Sequence, residues 1–167
     1  MKIIHVPEPV AFSGPSVFAA GPTPRSPEIA SWRPKALRYF EEAGFEGAVY
    51  VPESRGGGSR HSYDDQIQWE TDALTAATTL MFWVPRELTP DRNGYPRMVA
   101  LTTNVEFGMW MRSGKIILGY PHSAVKMAYL EWHARKENIT ISHHLRDTVK
   151  LAVDLSRKNY EAQARRA

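Results

Sequence analysis

The sequence predicts an α/β fold in which helices cover both faces of an open, mostly parallel sheet. Three observations carry this expectation. Short apolar runs alternate along the chain with stretches whose apolar residues fall at helical spacing. Each of the four longer runs is stopped by glycine or proline: SVFAA at 16–20 by Gly21, 47–51 by Pro52, 78–84 by Pro85 and 116–120 by Pro121. The runs at 16–20 and 78–84 are apolar almost throughout, as strands buried on both faces are, and they are expected at the centre of the sheet. Five strands, the last a short one at 139–141, point to a flavodoxin-like, Rossmann-like doubly wound sheet in three layers, with strand order 2-1-3-4-5.

Each element has its own reason. Residues 2–6 can add an accessory edge strand, which Pro7 and Pro9 end. The GPTP turn at 21–24 falls at the ligand-binding corner of such a sheet, although neither G-x-G-x-x-G nor G-K-[ST] follows it. Ser31 is placed to cap a helix with Pro34 in its first turn, Ala36, Leu37, Tyr39 and Phe40 on its apolar face, and Gly44 at its end. The loop ESRGGGSRHS at 53–62 reads either as plain surface or as a lid that brings Arg55 and Arg60 to an anion. A helix over 63–77 turns Ile67, Leu74 and Ala77 inward. Glu70 falls on the same stripe, where a carboxylate has to be paired, protonated or in a cleft; a shift of a residue or two returns it to the solvated face. A polar loop over 86–96 follows the strand at 78–84, with Arg86, Arg92 and Arg97 in it or beside it. A helix over 123–136 carries Ala124, Met127, Leu130 and Trp132 or His133 for packing. A last helix over 147–163 carries Val149, Leu151, Val153 and Leu155, and Arg157, Lys158, Arg165 and Arg166 near its end read as a solvated tail.

Composition bounds the function. The 167 residues suit one domain, 1–167, with a core that needs no staples. There are no cysteines, which excludes disulfides, zinc–thiolate sites and cysteine nucleophiles. The first ten residues are too short and too proline-broken for a signal peptide, and no apolar run approaches the roughly 18 residues of a membrane span, so a cytoplasmic protein is expected. A net charge of +3 without a long basic run favours a small anionic or polar ligand over nucleic acid. The six histidines show no ligand spacing, and the adjacent His143 and His144 read as surface or packing residues rather than metal ligands. Trp83 ends a strand beside the expected crevice, where it can stack on a base.

The most informative stretch is 98–120. Thr103 is a good N-cap, Glu106 follows three residues later, and Gly114 is the expected C-cap. Two readings stand here. Thr103-x-x-Glu106 can be a capping box, in which the carboxylate folds back onto a backbone N–H. Alternatively, a carboxylate held ionised near a helix start can attack an electrophilic sugar carbon.

Seven fragments, in order, resemble the nucleoside 2-deoxyribosyltransferase-like family: VFAAGPTP at 17–24, SWRPKAL at 31–37, VYVPE at 49–53, QWETDAL at 68–74, FWVPR at 82–86, TTNVEFGMW at 102–110 and GKIILGYP at 114–121. The resemblance implies that Glu106 is the nucleophile on the anomeric carbon. It implies that Glu70, where the best-studied enzymes have aspartate, holds the sugar or the departing base. With the open-sheet rule it places substrate contacts at Phe18, Gly21, Pro22, Glu53, Trp83, Arg86, Thr103 and Asn104. Two positions depart from the family's pattern: Phe18 stands where the family has tyrosine, and Ala100 where it has an aspartate six residues before the nucleophile.

The activity so implied is retaining cleavage or transfer at the N-glycosidic bond of a nucleoside or nucleotide, with no metal or redox cofactor. It also implies a homodimer or larger homo-oligomer, with residues 123–132 as the expected interface. A non-catalytic nucleotide-binding module of the same fold and an NAD-type glycohydrolase are the alternatives.

Overall fold

The computed structural model describes residues 1–24, 29–55 and 62–166. Its strands are β1 (Lys2–His5), β2 (Ser16–Ala20), β3 (Ala48–Val51), β4 (Thr79–Trp83), β5 (Glu87–Pro90), β6 (Pro96–Met98), β7 (Ile116–Gly119) and β8 (Thr140–Ser142). Its helices are α1 (Arg33–Glu42), α2 (Tyr63–Ala76), α3 (Leu101–Trp110), α4 (Ala128–Lys136) and α5 (Leu145–Ala164).

Six strands pair in parallel in the order β1-β3-β2-β4-β7-β8. The five core strands stand in the expected 2-1-3-4-5 order, with β2 and β4 central. The expected count of five becomes six because β1 pairs residue for residue with β3, from Lys2 opposite Ala48 to His5 opposite Val51, and buries Ile4. β2, β3, β4 and β7 are buried at every position, which explains their unbroken apolar character.

Alternation along the strands sorts the core into two layers. Phe18, Tyr50, Leu80, Phe82 and Leu118 face Trp69, Ala73 and Leu74 of α2, Phe107 of α3, and Leu130 and Ala134 of α4. Val17, Ala19, Val49, Met81, Trp83 and Ile117 face Ala36 and Phe40 of α1, and Val149, Ala152 and Val153 of α5. At the amino ends of the central strands, Thr78 and Ser16 exchange backbone and hydroxyl hydrogen bonds of 2.8–3.2 Å, and the Ser156 hydroxyl sits 3.0 Å from that of Thr78. This clasp fixes the register of β2 against β4 far from the ligand end.

Several local expectations are corrected. The polar loop over 86–96 contains the β5–β6 hairpin, turned through Asp91, whose carboxylate accepts the N–H groups of Asn93 and Tyr95. Ile67 is 45% exposed, because the buried stripe of α2 is Trp69, Ala73 and Leu74; the period is helical but its phase is set by the tryptophan. α4 begins at Ala128 rather than 123, after Lys126 takes a positive φ, and Trp132 lies on its outer face. α5 begins at Leu145, which is buried, rather than at 147. α3 ends at Trp110, and Gly114 turns the chain with φ +70° three residues after the C-cap Met111.

Candidate active site

The carboxyl ends of β2, β3 and β4 deliver three turns to one rim of the sheet. At the first, Gly21 has φ +144°, and a Cβ there would meet the Trp83 carbonyl oxygen at 2.1 Å, so only glycine allows β2 and β4 to approach so closely. The Gly21 carbonyl then faces the start of α1. Ser31 does not cap that helix as expected. Trp32 is the N-cap residue, and the Ser31 hydroxyl instead accepts from the Arg33 N–H and donates to both carboxylate oxygens of Glu53.

Arg33 is the residue around which this rim is built, and sequence reasoning did not single it out. Its side chain is 1% exposed. It donates to the carbonyls of Ala19 (3.1 Å) and Gly21 (2.6 Å), to the Thr23 hydroxyl (3.2 Å) and to Glu53 (2.6 Å). Burial pulls its pKa down, while Glu53 above all, and then Glu106 and Glu70, hold it up. The adjacent Trp32 ring lies under its guanidinium at 4.7 Å and is itself tied by its indole N–H to the Pro22 carbonyl. The available signal was the Trp-Arg-Pro start of a helix next to a strand-end glutamate; it becomes meaningful only when three segments converge.

Glu106 sits in the second turn of α3. The capping box is corrected: Ala100 is the N-cap residue, in the left-handed conformation at φ 62° and with no side-chain acceptor. Thr103 lies inside the helix and is buried, because it and Phe107 face the sheet one turn apart. The helix therefore starts before the Thr-x-x-Glu pattern, and Glu106 is not positioned to close back on the first N–H groups. Its carboxyl is half-buried. Burial, with the Glu70 carboxylate adding to it and Arg33 opposing, raises its pKa from 4.5 to about 7. Glu70, on α2, is half-buried and accepts a hydrogen bond from Gln66 at 2.9 Å. Glu106, Glu70 and Glu53 thus all act on one buried cation, and the Glu70 charge adds to the rise in the Glu106 pKa.

The other expected residues fall as follows. Phe18 lies beneath this cluster against Trp69, at 6.5 Å between rings. Trp83 is buried in the opposite layer with Trp32 and Met81, on the α1–α5 side. Arg86 is buried; it donates to the Lys126 carbonyl at 2.8 Å and to the Asn104 side-chain oxygen. Arg55 is exposed and pairs with Glu8 at 2.6 Å. Arg97 pairs with Glu87 in the hairpin. Arg60 and the glycines of its loop lie outside the described residues. An open groove of about 580 Å³ between Pro7, Pro9 and the Asp65–Asp72 side of α2 holds neither Glu106 nor Glu70, so size alone does not mark the chemistry.

A doubly wound parallel sheet covered by helices on both faces, with Glu53, Glu70 and Glu106 all acting on the buried Arg33, defines an α/β protein of flavodoxin-like fold. Residues 14–124, about two thirds of the chain, match the family described as nucleoside 2-deoxyribosyltransferase like, and the chain belongs to that family. No curated protein matches it. Among the described residues, no helix is long and apolar enough to cross a membrane.

Proposed function

We propose that the chain acts as one catalytic domain that cleaves or transfers at the N-glycosidic bond of a (deoxy)ribonucleoside or nucleotide, with Glu106 as nucleophile. The observation that carries this reading is the state of Glu106: it has no capping duty, it is close enough to Glu70 and Arg33 for their charges to act on it, and burial with Glu70 raises its pKa to about 7. A purely structural carboxylate on a helix has no reason to be held, desolvated, next to a second one.

In this mechanism the ionised Glu106 attacks C1′ as the C1′–N bond breaks through an oxocarbenium-like transition state. The bonding pair leaves with the base, which takes up a proton, and a glycosyl ester of Glu106 forms. Water, in a hydrolase, or a second base, in a transferase, then attacks C1′ and releases the carboxylate. Glu70 holds the sugar or handles the proton on the base. Arg33, fixed by four acceptors, positions the rim and favours the ionised form of Glu106.

A homo-oligomer accompanies this reading. Leu101, Val105 and Met109 form an exposed apolar stripe on α3, and Val125, Tyr129 and Trp132 form another on and before α4. Contacts from Arg86 to Asn104 and Lys126, and from Arg112 to Glu137, hold the two helices side by side. Apolar exposure of this extent is typical of a surface covered by a partner, and a second copy of the chain is the simplest one.

The direct test is incubation with a panel of nucleosides and nucleotides, with free base measured by chromatography. Wild type releases base and Glu106→Gln does not. Equal rates from both proteins would return Glu106 to a structural role.

A further inference from the structure

Arg33 is a buried cation on which Glu53, Glu106 and Glu70 all act, and its ion pair among the described residues is with Glu53, at 2.6 Å. Glu106 and then Glu70 add the pull of their charge. The other bonds of the guanidinium go to neutral oxygens: Nε–H to the Ala19 carbonyl, Nη2–H to the Gly21 carbonyl and Nη1–H to the Thr23 hydroxyl. Those bonds fix where the cation stands. Of its hydrogen-bond partners, Glu53 is the one that balances its charge.

Glu53 is itself held from two further elements. The Ser31 hydroxyl donates to its Oε1 and Oε2 at 3.0 and 2.9 Å, and the same hydroxyl oxygen accepts the Arg33 N–H at 3.2 Å. His5, the last residue of β1, lies with Nδ1 2.8 Å from the Glu53 carbonyl oxygen; a carbonyl only accepts, so Nδ1–H donates. The edge strand β1 therefore ends on the residue that partners Arg33. A cation this deeply buried is costly to leave without an anion. With Glu53 neutral, the carboxylates next in line are Glu106 and Glu70. A Glu106 recruited as counterion has a lone pair committed to Arg33 at the moment it has to attack C1′.

We propose that Glu53, held by Ser31 and His5, is a positioning residue: it keeps the Arg33 guanidinium paired at the turn after β2 and so leaves the Glu106 carboxylate open to the sugar. The inference rests on the glycosidic reading of Glu106 for the word sugar, but the division of charge among Arg33, Glu53 and Glu106 stands without it. The charged groups that act on Glu106 are Glu70 on α2 and Arg33 on α1, and Glu53 acts through Arg33. The sign follows. Glu53→Gln removes the charge that balances Arg33, so Arg33 attracts the Glu106 carboxylate more strongly and Glu106 ionises at lower pH.

The test follows the Glu106 carboxyl by carbon-13 NMR of glutamate-labelled protein, with its signal assigned by its loss in Glu106→Gln, beside the pH profile of base release from a nucleoside panel. In Glu53→Gln the Glu106 midpoint and the acid limb of kcat/KM should both fall by about one pH unit or more. On the plateau kcat should drop about tenfold or more, because the attacking oxygen is held by Arg33. In the Arg33→Met background Glu53→Gln should move the midpoint little, since the charge it governs is gone. Ser31→Ala keeps the ion pair and loosens it, so it should shift midpoint and limb the same way by less; it carries the test if Glu53→Gln does not fold. A melting temperature that falls with midpoint and limb unmoved makes Glu53 merely structural, and a raised KM with the midpoint unmoved makes it a substrate contact; either overturns the proposal. So does an equal shift with and without Arg33. A lowered midpoint with no base release by wild type would sink the glycosidic reading and leave the charge assignment. Base release that Glu106→Gln abolishes, with a midpoint that Glu53→Gln does not move, would do the reverse.

Discussion

Replacing Glu106 with glutamine makes opposite predictions for a helix cap and for a carboxylate held in a crevice. A cap is stabilised in its ionised form by the helix start, so its folded pKa is lowered and it helps the fold most at neutral pH and above. Glu106 is raised from 4.5 to about 7, mainly by burial and then by Glu70. The fold therefore favours the protonated acid. Its contribution is fully present below pH 4.5 and is lost as pH rises through about 7. At 1.36 kcal/mol per pKa unit the ceiling on that loss is about 3 kcal/mol, and for a half-buried group about 2 kcal/mol is the better figure. Glutamine stays neutral and does not incur the loss. Melting temperatures of the two proteins, followed by scanning calorimetry from about pH 4.5 to 8.5, should thus diverge in favour of Glu106→Gln as pH rises. At roughly 2–4 °C per kcal/mol for a chain of this size, the gap should widen by about 4–8 °C. A gap that stays constant with pH, or one that closes because wild type gains at high pH, would refute the desolvated pair and reinstate a capping role.

Four further outcomes follow from the same geometry. Glu70→Gln removes a negative charge that raises the Glu106 pKa, so the acid limb of the base-release rate should move to lower pH, with turnover reduced less than in Glu106→Gln. Arg33→Met removes the charge that lowers it, so that limb should move to higher pH; it should also cost about 3 kcal/mol of stability, because Glu53 loses its buried partner. Thr78→Val breaks the clasp to Ser16 and should lower stability by about 1–3 kcal/mol in denaturant titration while leaving base release unchanged, because the clasp lies at the opposite end of the strands. If the proposed homo-oligomer forms through the α3 stripe, wild type should scatter light as a dimer or larger and Val105→Lys combined with Met109→Lys as a monomer, without loss of helical circular dichroism; equal masses for the two proteins would remove the stripe from any interface.

The strand order was legible because each central strand is a short apolar run with a proline or glycine stop, and parallel strands buried on both faces leave that signature. Glu106 stood out as a candidate because it follows Thr103 near a helix start and matches the family's pattern, and Glu70 because it falls at helical spacing from Leu74, where a carboxylate is costly without a reason. The start of α3 was not legible. Thr103-x-x-Glu106 satisfies the local rule for a cap, yet packing of Thr103 and Phe107 against the sheet draws the N-cap three residues further back, and Ala100 takes the strained turn. Arg33 was also hidden, since four of its five side-chain acceptor and ring partners come from β2, its following turn and Glu53, and no local window contains them all. The phase of α2 was lost because Ile67 and Trp69 compete for the inner face, and the larger ring, with its indole N–H bonded to the Glu8 carbonyl, takes it.

The central claim is that a covalent bond forms between Glu106 and the sugar. Acid-quenched turnover followed by peptide mass analysis tests it most directly. The account predicts a pentosyl mass on the peptide that contains Glu106, absent from Glu106→Gln and lost on adding an acceptor base or on longer incubation. Base release by wild type with the sugar ester on a different residue would contradict it.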